Sequence, residues 1–284
     1  MSPPVVDAHH HLWDPSRADY PFLTDELAAI RRPFGVGDLV PLLDAAGVAA
    51  TVLVQTRSST DESREFLAAA AATPRIAGVI AWVDLTSDDV AGAIDALRAA
   101  PGGERLAGIR HQVHDEPNPA WILRDDVRRG LRAVAASGLP YDLLVRALEM
   151  PAALEVVRSM PDLRFVIDHL GKPPIRNGDI ATWAERIAPF GRLPNVWCKL
   201  SGLVTEADWS SWTVADLRPA VDHALDVFGP QRLLLGSDWP VCLLASSYQG
   251  VFDATLELIA GLTADEQAAV MGENAIAYYG LFVG

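Results

Sequence analysis

The sequence is poor in cysteine and in basic side chains. Its 284 residues include two cysteines, Cys198 and Cys242, too few for the disulfide framework of a small extracellular domain. The 23 Lys and Arg residues against 37 Asp and Glu residues leave a formal net charge of −14, with no stretch dense in Lys or Arg. A nucleic-acid or anionic-membrane surface requires the opposite sign, so we expect neither partner.

Long apolar runs are also missing. No segment approaches the roughly 18 consecutive apolar residues of a membrane span, and the N-terminus lacks the basic start and apolar centre of a signal peptide. We therefore expect a cytoplasmic protein. The sequence does not determine its oligomeric state, and a homo-oligomer stays open. Half of the residues are hydrophobic, which is enough for a large core.

Eight short, β-rich runs alternate with helical patterns along the chain. Several runs are apolar almost throughout, as expected for strands covered on both faces. The helical patterns cover 36–46, 62–72, 88–100, 122–137, 148–160, 180–190 and 214–228, and Gly or Pro ends most of them. A doubly wound sheet would usually carry a Gly-rich phosphate loop after its first strand, where this chain has histidines. We predict one (β/α)8 TIM barrel domain over residues 1–284, with strands at 5–9, 50–55, 77–83, 106–110, 141–145, 164–168, 195–200 and 232–237.

The first predicted strand ends in two histidines that are separated by one residue. Because side chains on a strand alternate between faces, His9 and His11 are expected to point the same way, with Asp7 below them. Two imidazoles at the carboxyl end of a strand form half of a metal site or of a site that polarises a carbonyl group. A purification tag would be longer and would not follow an apolar strand.

A barrel carries its active site at the carboxyl ends of its strands. Buried ionisable groups are costly, and they usually have a partner or a task. In this sequence such groups follow nearly every predicted strand: His9 and His11, Asp84, Arg110 and His111, Arg146, Asp168 and His169, Lys199, and Asp238.

Three motifs resemble those of the amidohydrolase superfamily: Asp7-Ala8-His9-x-His11 on the first strand, Asp168-His169-Leu170-Gly171-Lys172-Pro173 on the sixth and Gly236-Ser237-Asp238-Trp239-Pro240 on the eighth. More narrowly, they are similar to the amidohydrolase-2 group, which contains the sugar lactonases (L-fuconolactonase- and L-rhamnonolactonase-like enzymes) and 2-pyrone-4,6-dicarboxylate lactonase. The resemblance extends from Val6 to about Tyr279 and implies the barrel fold.

The resemblance implies that His9, His11, His169 and Asp238 form the core of the site. Superfamily members with two metals use a lysine on strand four and a histidine on strand five, but here strand four ends in Arg110 and residues 141–145 contain no histidine. This departure argues against two metals. Two interpretations stay open: one divalent ion, preferably zinc, on His9, His11 and Asp238, or a site without metal.

The sugar-lactonase branch implies a hydrolase of carbohydrate catabolism that opens an aldonolactone to its aldonic acid. Asp238 is the predicted base and then acid, and His169, with His9 and His11 or the ion they hold, is predicted to polarise the carbonyl. The alternatives are a 2-pyrone-4,6-dicarboxylate-type lactonase, which would need several cations at the strand ends, and a metal-dependent decarboxylase of the same superfamily. A barrel that merely binds sugar would not need a base.

Other side chains are candidates for contacts with the substrate, each with a structural alternative. Arg110 is expected either to bind a substrate oxygen or to form a salt bridge inside the barrel. A buried Lys199 is expected either to have a function in the site or to form an ion pair with a neighbouring acid. Tryptophans form walls for a sugar ring or pack in the core. The predicted substrate-binding residues are Arg110, His111, Lys199, Trp13, Trp82 and Trp239, with His114 in addition.

The surroundings of the site are also predicted. His111 should face away from Arg110 if the strand continues. Asp14 and Asp168 are candidates for carboxylates that orient histidines. The long loops 13–33 and 171–179 are expected to cover the site.

Overall fold

The computed structural model describes residues 3–283; Met1, Ser2 and Gly284, at the ends of the predicted domain, lie outside the described residues. Eight parallel strands pair in chain order. The sheet is closed by a bridge between His10 and Trp239, where the His11 N–H donates to the Trp239 carbonyl at 2.7 Å. The predicted (β/α)8 TIM barrel is confirmed.

The strands end within two residues of the predicted bounds. Each is buried along nearly its whole length because helices cover the outside of the barrel and side chains fill its inside. The strands are β1 Val5–His10, β2 Val48–Val54, β3 Ile76–Ala81, β4 Leu106–Gln112, β5 Tyr141–Leu144, β6 Phe165–Ile167, β7 Val196–Leu200 and β8 Leu233–Leu235.

The helices begin and end at residues that suit these positions. The Ser59 hydroxyl caps the second helix by accepting from the Glu62 N–H, and Gly47 ends the first helix with φ 65°. The helices are α1 Val36–Ala46, α2 Thr60–Ala72, α3 Val90–Arg98, α4 Asp125–Ala136, α5 Met150–Ser159, α6 Ala181–Ile187, α7 Leu203–Glu206, α8 Val214–Phe228, α9 Tyr248–Leu258, α10 Ala264–Ala268 and α11 Asn274–Tyr279. Over the described residues, no helix is both long and apolar enough to cross a membrane.

The barrel interior changes character along its axis. One part is an apolar cluster to which β1 contributes Val6 and Ala8 and α11 contributes Tyr278 and Tyr279. The other part, towards the carboxyl ends of the strands, holds buried charged and imidazole groups. The fold therefore places the polar site at one end of the barrel, above the apolar cluster that fills the other end.

One strand prediction is wrong in detail. Asp7 does not lie below His9 and His11: its carboxylate accepts hydrogen bonds from Ser237 N at 2.8 Å, Ser237 Oγ at 2.6 Å and the Tyr248 hydroxyl at 3.0 Å. The pairing of β1 with β2 shifts register between Asp7 and His10. Such an irregularity interrupts the alternation of side chains on which the prediction depends.

Candidate active site

Four side chains from three strand ends meet at the carboxyl end of the barrel. His9 and His11 come from the end of β1, His169 follows β6 and Asp238 follows β8. The Nε2 atoms of His9 and His11 are 3.1 Å apart. Asp238 Oδ1 is 3.4 Å from His11 Nε2 and 3.9 Å from Nε2 of both His9 and His169. The structure thus brings together the four residues that the sequence motifs single out.

His169 and Asp238 leave their strands in an unusual backbone conformation. Their φ angles are 55° and 56°, in the left-handed region that non-glycine residues seldom adopt and that functional sites often hold. Gly202 packs against His169, and a Cβ atom added at Gly202 would lie 2.6 Å from His169 Nδ1. Only glycine fits there, so the position of the imidazole depends on it.

The hydrogen bonds of His11 set its tautomer. Its Nδ1 is 2.8 Å from the Val54 carbonyl, so Nδ1 carries the proton and the Nε2 lone pair faces His9 and Asp238. Burial and the charge of Lys199 hold the pKa of His9 well below its usual value, and burial lowers the pKa of His169 to about 4. The imidazoles of His9 and His169 are therefore neutral at neutral pH.

His9 Nδ1 has two neighbours of opposite character. Lys199 Nζ is 3.1 Å away and Asp168 Oδ1 is 3.4 Å away. When Lys199 donates to Nδ1, His9 Nε2–H donates to His11 and the cluster is satisfied without a cation. When Nδ1–H donates to Asp168, both Nε2 lone pairs are free for a metal. The arrangement accommodates either protonation state.

A buried ionic layer lies behind His9. Lys199 Nζ is 2.6 Å from Asp142 Oδ2 and 3.0 Å from Asp168 Oδ1, and Arg110 Nη1 is 2.9 Å from Asp168 Oδ2. Burial raises the pKa of Asp168, but the charge of Lys199 together with His9 and Arg110 outweighs burial and holds that pKa well below its usual value. Asp168 is therefore an anion fixed between two cations.

The cluster of His9, His11 and Asp238 fits one divalent cation. A tetrahedral zinc ion with bonds of about 2.0–2.1 Å separates its ligand atoms by roughly 3.3 Å, and the donor atoms here are 3.1, 3.4 and 3.9 Å apart. Burial raises the pKa of Asp238, but His169 and His11 outweigh burial and lower it, which keeps the carboxylate ionised. A second group, of His9, Asp168 and His169, fits poorly because Asp168 already binds Lys199 and Arg110.

A cavity of about 300 Å³ opens above the cluster. Its floor includes His11, His169 and Asp238. Trp13, Phe22 and Leu27, from loop 13–33, line one side, and Lys172 from loop 171–179 lines another. Both loops therefore reach the site, as the sequence predicts.

Arg110 lines the cavity, but its guanidinium already has partners within the protein. Besides Asp168, it donates through Nη2 to the Gln55 carbonyl, and Nη1 is 3.4 Å from His9 Nε2. Trp13 also lines the cavity, while its indole N–H donates to the carbonyls of Ile30 and Arg32. Each therefore has the structural partners that the sequence offers as one alternative, while its contact with a substrate stays a prediction.

Lys199 and Trp239 do not line the cavity, a correction to their predicted contact with the substrate. Lys199 is 0% exposed, because its ammonium lies in the ionic layer. Trp239 is buried in the core against Phe34, with ring centroids 5.4 Å apart.

Trp82 does not line the cavity, a further correction, and His111 lines an adjoining cavity that shares Phe22, Thr56, Gln112 and Asp115 with it. His111 Nδ1 accepts from the Trp82 indole at 3.0 Å, its Nε2 is 2.8 Å from Glu116 Oε1, and its ring stacks on Trp121 with centroids 4.3 Å apart. The continuing strand turns His111 away from Arg110, so these side chains form their own cluster.

Asp14 does not orient a histidine in the described part of the chain. Its carboxylate caps its own loop by accepting from the Ser16 N–H at 2.9 Å and the Ser16 hydroxyl at 2.6 Å. Asp168, in contrast, lies beside His9.

Lys172 is a residue of the cavity that the sequence analysis does not assign a role. It has φ 55° and pairs with Glu206. The chain contains two lysines, Lys172 and Lys199, and both lie at the site. The scarcity of lysine is the signal that could have identified Lys172.

Comparison with known proteins agrees with this geometry. A family model described as Amidohydrolase matches residues 6–281. The chain is 37% identical to an L-fucono-1,5-lactonase of Burkholderia multivorans over 97% of this chain and 96% of the relative. It is 38% identical to an L-fucono-1,5-lactonase of Burkholderia ambifaria over 96% and 94%. A crystal structure of a Burkholderia multivorans amidohydrolase with bound zinc superposes with a TM-score of 0.93 at 35% identity, covering 98% of this chain and 100% of that one.

Proposed function

This chain belongs to the amidohydrolase family, and from that premise we propose that it hydrolyses the ring of a sugar lactone to the aldonic acid. The observation that supports this most is the convergence of the imidazoles of His9, His11 and His169 on one buried carboxylate, Asp238, at the floor of an open cavity. A base beside a hydrogen-bond donor or a Lewis acid is what ester hydrolysis requires. L-Fucono-1,5-lactone is the first substrate to test, because two relatives are named for it.

In the proposed reaction Asp238 takes a proton from water while the water oxygen attacks the lactone carbonyl carbon. The bond from that carbon to the ring oxygen then breaks, and Asp238 returns the proton to the ring oxygen. Lactone and water thus give one hydroxy acid, which ionises and releases one proton at neutral pH. Oδ1 of Asp238 faces the imidazoles, which leaves Oδ2 for the proton.

His169 is the proposed donor to the carbonyl oxygen. Its Nδ1 is 2.9 Å from Ser201 Oγ, and we assign the Ser201 hydroxyl as the donor of this bond. The proton on His169 then resides on Nε2, which faces Asp238 and can stabilise the negative charge that develops on the oxygen. Removal of one such donor typically lowers kcat by about a hundredfold to a thousandfold.

His9, His11 and Asp238 are the residues that would hold a metal, and zinc is our proposed ion because two imidazoles, a carboxylate and an open position are a typical zinc donor set. When bound, a divalent ion supplies Lewis-acid polarisation of the carbonyl. Lys199 and Asp168 prepare His9 for either state, since one donates to Nδ1 and the other accepts from it.

A dicarboxylate lactone and a decarboxylation substrate have less support. A dicarboxylate would need several free cations, but Arg110 and Lys172 are already paired with Asp168 and Glu206, which leaves Arg146 among the cations of the cavity lining. The relatives at 37% and 38% identity are both lactonases. A neutral, polyhydroxylated lactone is therefore the substrate class that suits this cavity.

The test is a pH-indicator assay against a panel of sugar lactones, run as purified, after chelation, and with zinc or manganese restored. We expect release of one proton per sugar lactone hydrolysed. The Asp238→Asn variant should lose at least about a thousandfold in kcat with an unchanged thermal unfolding midpoint. Failure of every lactone in every metal state would refute the lactonase proposal, and near wild-type activity of Asp238→Asn would refute the role of Asp238.

A further inference from the structure

We infer that Asp115 and Arg146 form a hydroxyl-recognition pair at the rim of the cavity and select polyhydroxylated lactones over lactones that lack those hydroxyls. This inference rests on the proposed lactonase function and goes beyond it by naming the residues that recognise the hydroxyl groups of the sugar. It concerns two side chains that take no part in the chemistry proposed above.

The fold places the two residues on neighbouring strand ends. Asp115 lies in the short turn that follows β4, and Arg146 follows β5. The two strands pair in register, with Gln112 opposite Leu144. Both side chains line the same cavity as His169 and Asp238. A ligand above the catalytic cluster therefore lies within the space that Asp115 and Arg146 border.

The two side chains also carry uncommitted charge. Arg110 and Lys172, the other cations of the cavity, are paired with Asp168 and Glu206. Among the described residues, the guanidinium of Arg146 has no ion-pair or hydrogen-bond partner, and Arg146 is exposed. The Asp115 side chain is 61% exposed, and its contact is His114 Nε2 at 3.2 Å from Oδ1.

Arg146 is the charge that most strongly influences both His114 and Asp115. Burial lowers the pKa of His114 to about 3, and Arg146 has the largest effect among the neighbouring charges. Burial raises the pKa of Asp115, and Arg146 is again the charge that opposes this most. His114 is therefore neutral, and its Nε2, 3.2 Å from Oδ1, leaves the Asp115 carboxylate charged.

A hydroxyl group matches this pair because it has one donor and two acceptor positions. Hydroxyls of a sugar can donate to Asp115 and accept from Arg146. An anionic substituent would be attracted by Arg146 but repelled by Asp115, and an apolar one would leave both charges without partners. The cavity of about 300 Å³ lies at the lower end of the range for ligand pockets, which suits a monosaccharide lactone.

The experiment measures kcat/KM for the best lactone of the panel and for its monodeoxy analogues. The enzymes are wild type, Asp115→Ala and Arg146→Met. A hydrogen bond to a charged group corresponds to a factor of about ten to a hundred. We expect each variant to lose that factor on the parent lactone, mainly through KM. On one deoxy lactone, which lacks the hydroxyl contacted, wild type and variant should become equal.

The matched controls are Asp88→Ala and Arg129→Met, which remove the same charges from an exposed ion pair outside the cavity lining, 2.7 Å apart. They should retain wild-type kcat/KM. Thermal unfolding midpoints identify a variant that fails to fold, in which case Asp115→Ser or Arg146→Gln replaces it. If the variants match wild type, or lose the same factor on every deoxy lactone, the recognition pair is refuted while the lactonase function stands. If wild type hydrolyses no lactone, both are refuted.

Discussion

Lys199 holds His9 from the barrel interior: its Nζ is 3.1 Å from His9 Nδ1, while the other nitrogen of the ring faces His11 at 3.1 Å. The ammonium is fully buried and has its remaining partners in Asp142 and Asp168. The orientation of a predicted metal ligand therefore depends on a buried ammonium that does not line the cavity.

We predict that Lys199→Met destabilises the protein by about 3–5 kcal/mol, because loss of one partner leaves buried charge uncompensated. Asp142 and Asp168 would then share the interior without their common cation. Equilibrium unfolding in urea at pH 7.5 measures the free energy of unfolding.

Lys172→Met is the matched control, since Lys172 is the other lysine of the chain. Its ion pair with Glu206 lies at the cavity, with both side chains 21% exposed, so the same substitution should cost about 0–1 kcal/mol. Equal losses of stability in the two variants would contradict the assigned ionic layer.

We predict that Gly202→Ala lowers kcat at least about a hundredfold, the effect of a displaced oxyanion donor. The new Cβ would lie 2.6 Å from His169 Nδ1 and force the imidazole to move. Initial rates on the best sugar lactone measure the effect.

Gly178→Ala separates crowding from backbone strain. Gly178 has φ 69°, close to the 65° of Gly202, but a Cβ there would have nothing within 4 Å. Both variants should lose roughly 1–2 kcal/mol of stability from the left-handed conformation, and only Gly202→Ala should lose activity. A comparable loss of activity in Gly178→Ala would argue against the proposed contact with His169.

We predict one zinc ion per chain, bound by His9, His11 and Asp238. Isothermal titration of chelator-treated protein should give a single site, and His11→Asn should weaken it at least about tenfold by removing a ligand whose Nδ1 is anchored on Val54. His223→Asn is the control, because His223 contacts the Ala184 carbonyl from α8. Two equivalent sites, or unchanged affinity in His11→Asn, would disprove the assignment.

We predict that His114 makes the protein less stable in acid. Burial lowers its folded pKa to about 3, whereas an unfolded histidine has a pKa of about 6.5. Between these values the unfolded chain binds a proton that the folded chain does not, so the free energy of unfolding decreases as the pH falls from 6.5 towards 3. His114→Phe should show a shallower decrease in urea unfolding between pH 7.5 and 5. Identical pH dependence in both proteins would be inconsistent with a buried neutral His114.

The sequence predicts the barrel well and the C-terminal region poorly. Strand runs are recognisable because burial on both faces makes them continuously apolar, and α1 and α8 match the predicted bounds 36–46 and 214–228. The helical patterns do not single out α9, α10 or α11. The last two are short and separated by a π-helical turn at Ala269–Glu273, too irregular for a 3.6-residue period to appear.

The sequence by itself determined the order of eight strands, the histidine pair of β1 and the motifs that carry His169 and Asp238, because these are local patterns of polarity and spacing. Only the tertiary structure decided how deep each strand-end group lies and which charge neutralises it. Lys199 and Lys172 both lie near the carboxyl end of a strand. Lys199 is nevertheless fully buried beneath His9, whereas Lys172 borders the cavity. Asp7 likewise does not lie on the same face as His9, because the pairing of β1 with β2 is irregular there. Depth and pairing depend on how strands far apart in sequence are brought together when the barrel closes, and no local pattern encodes that.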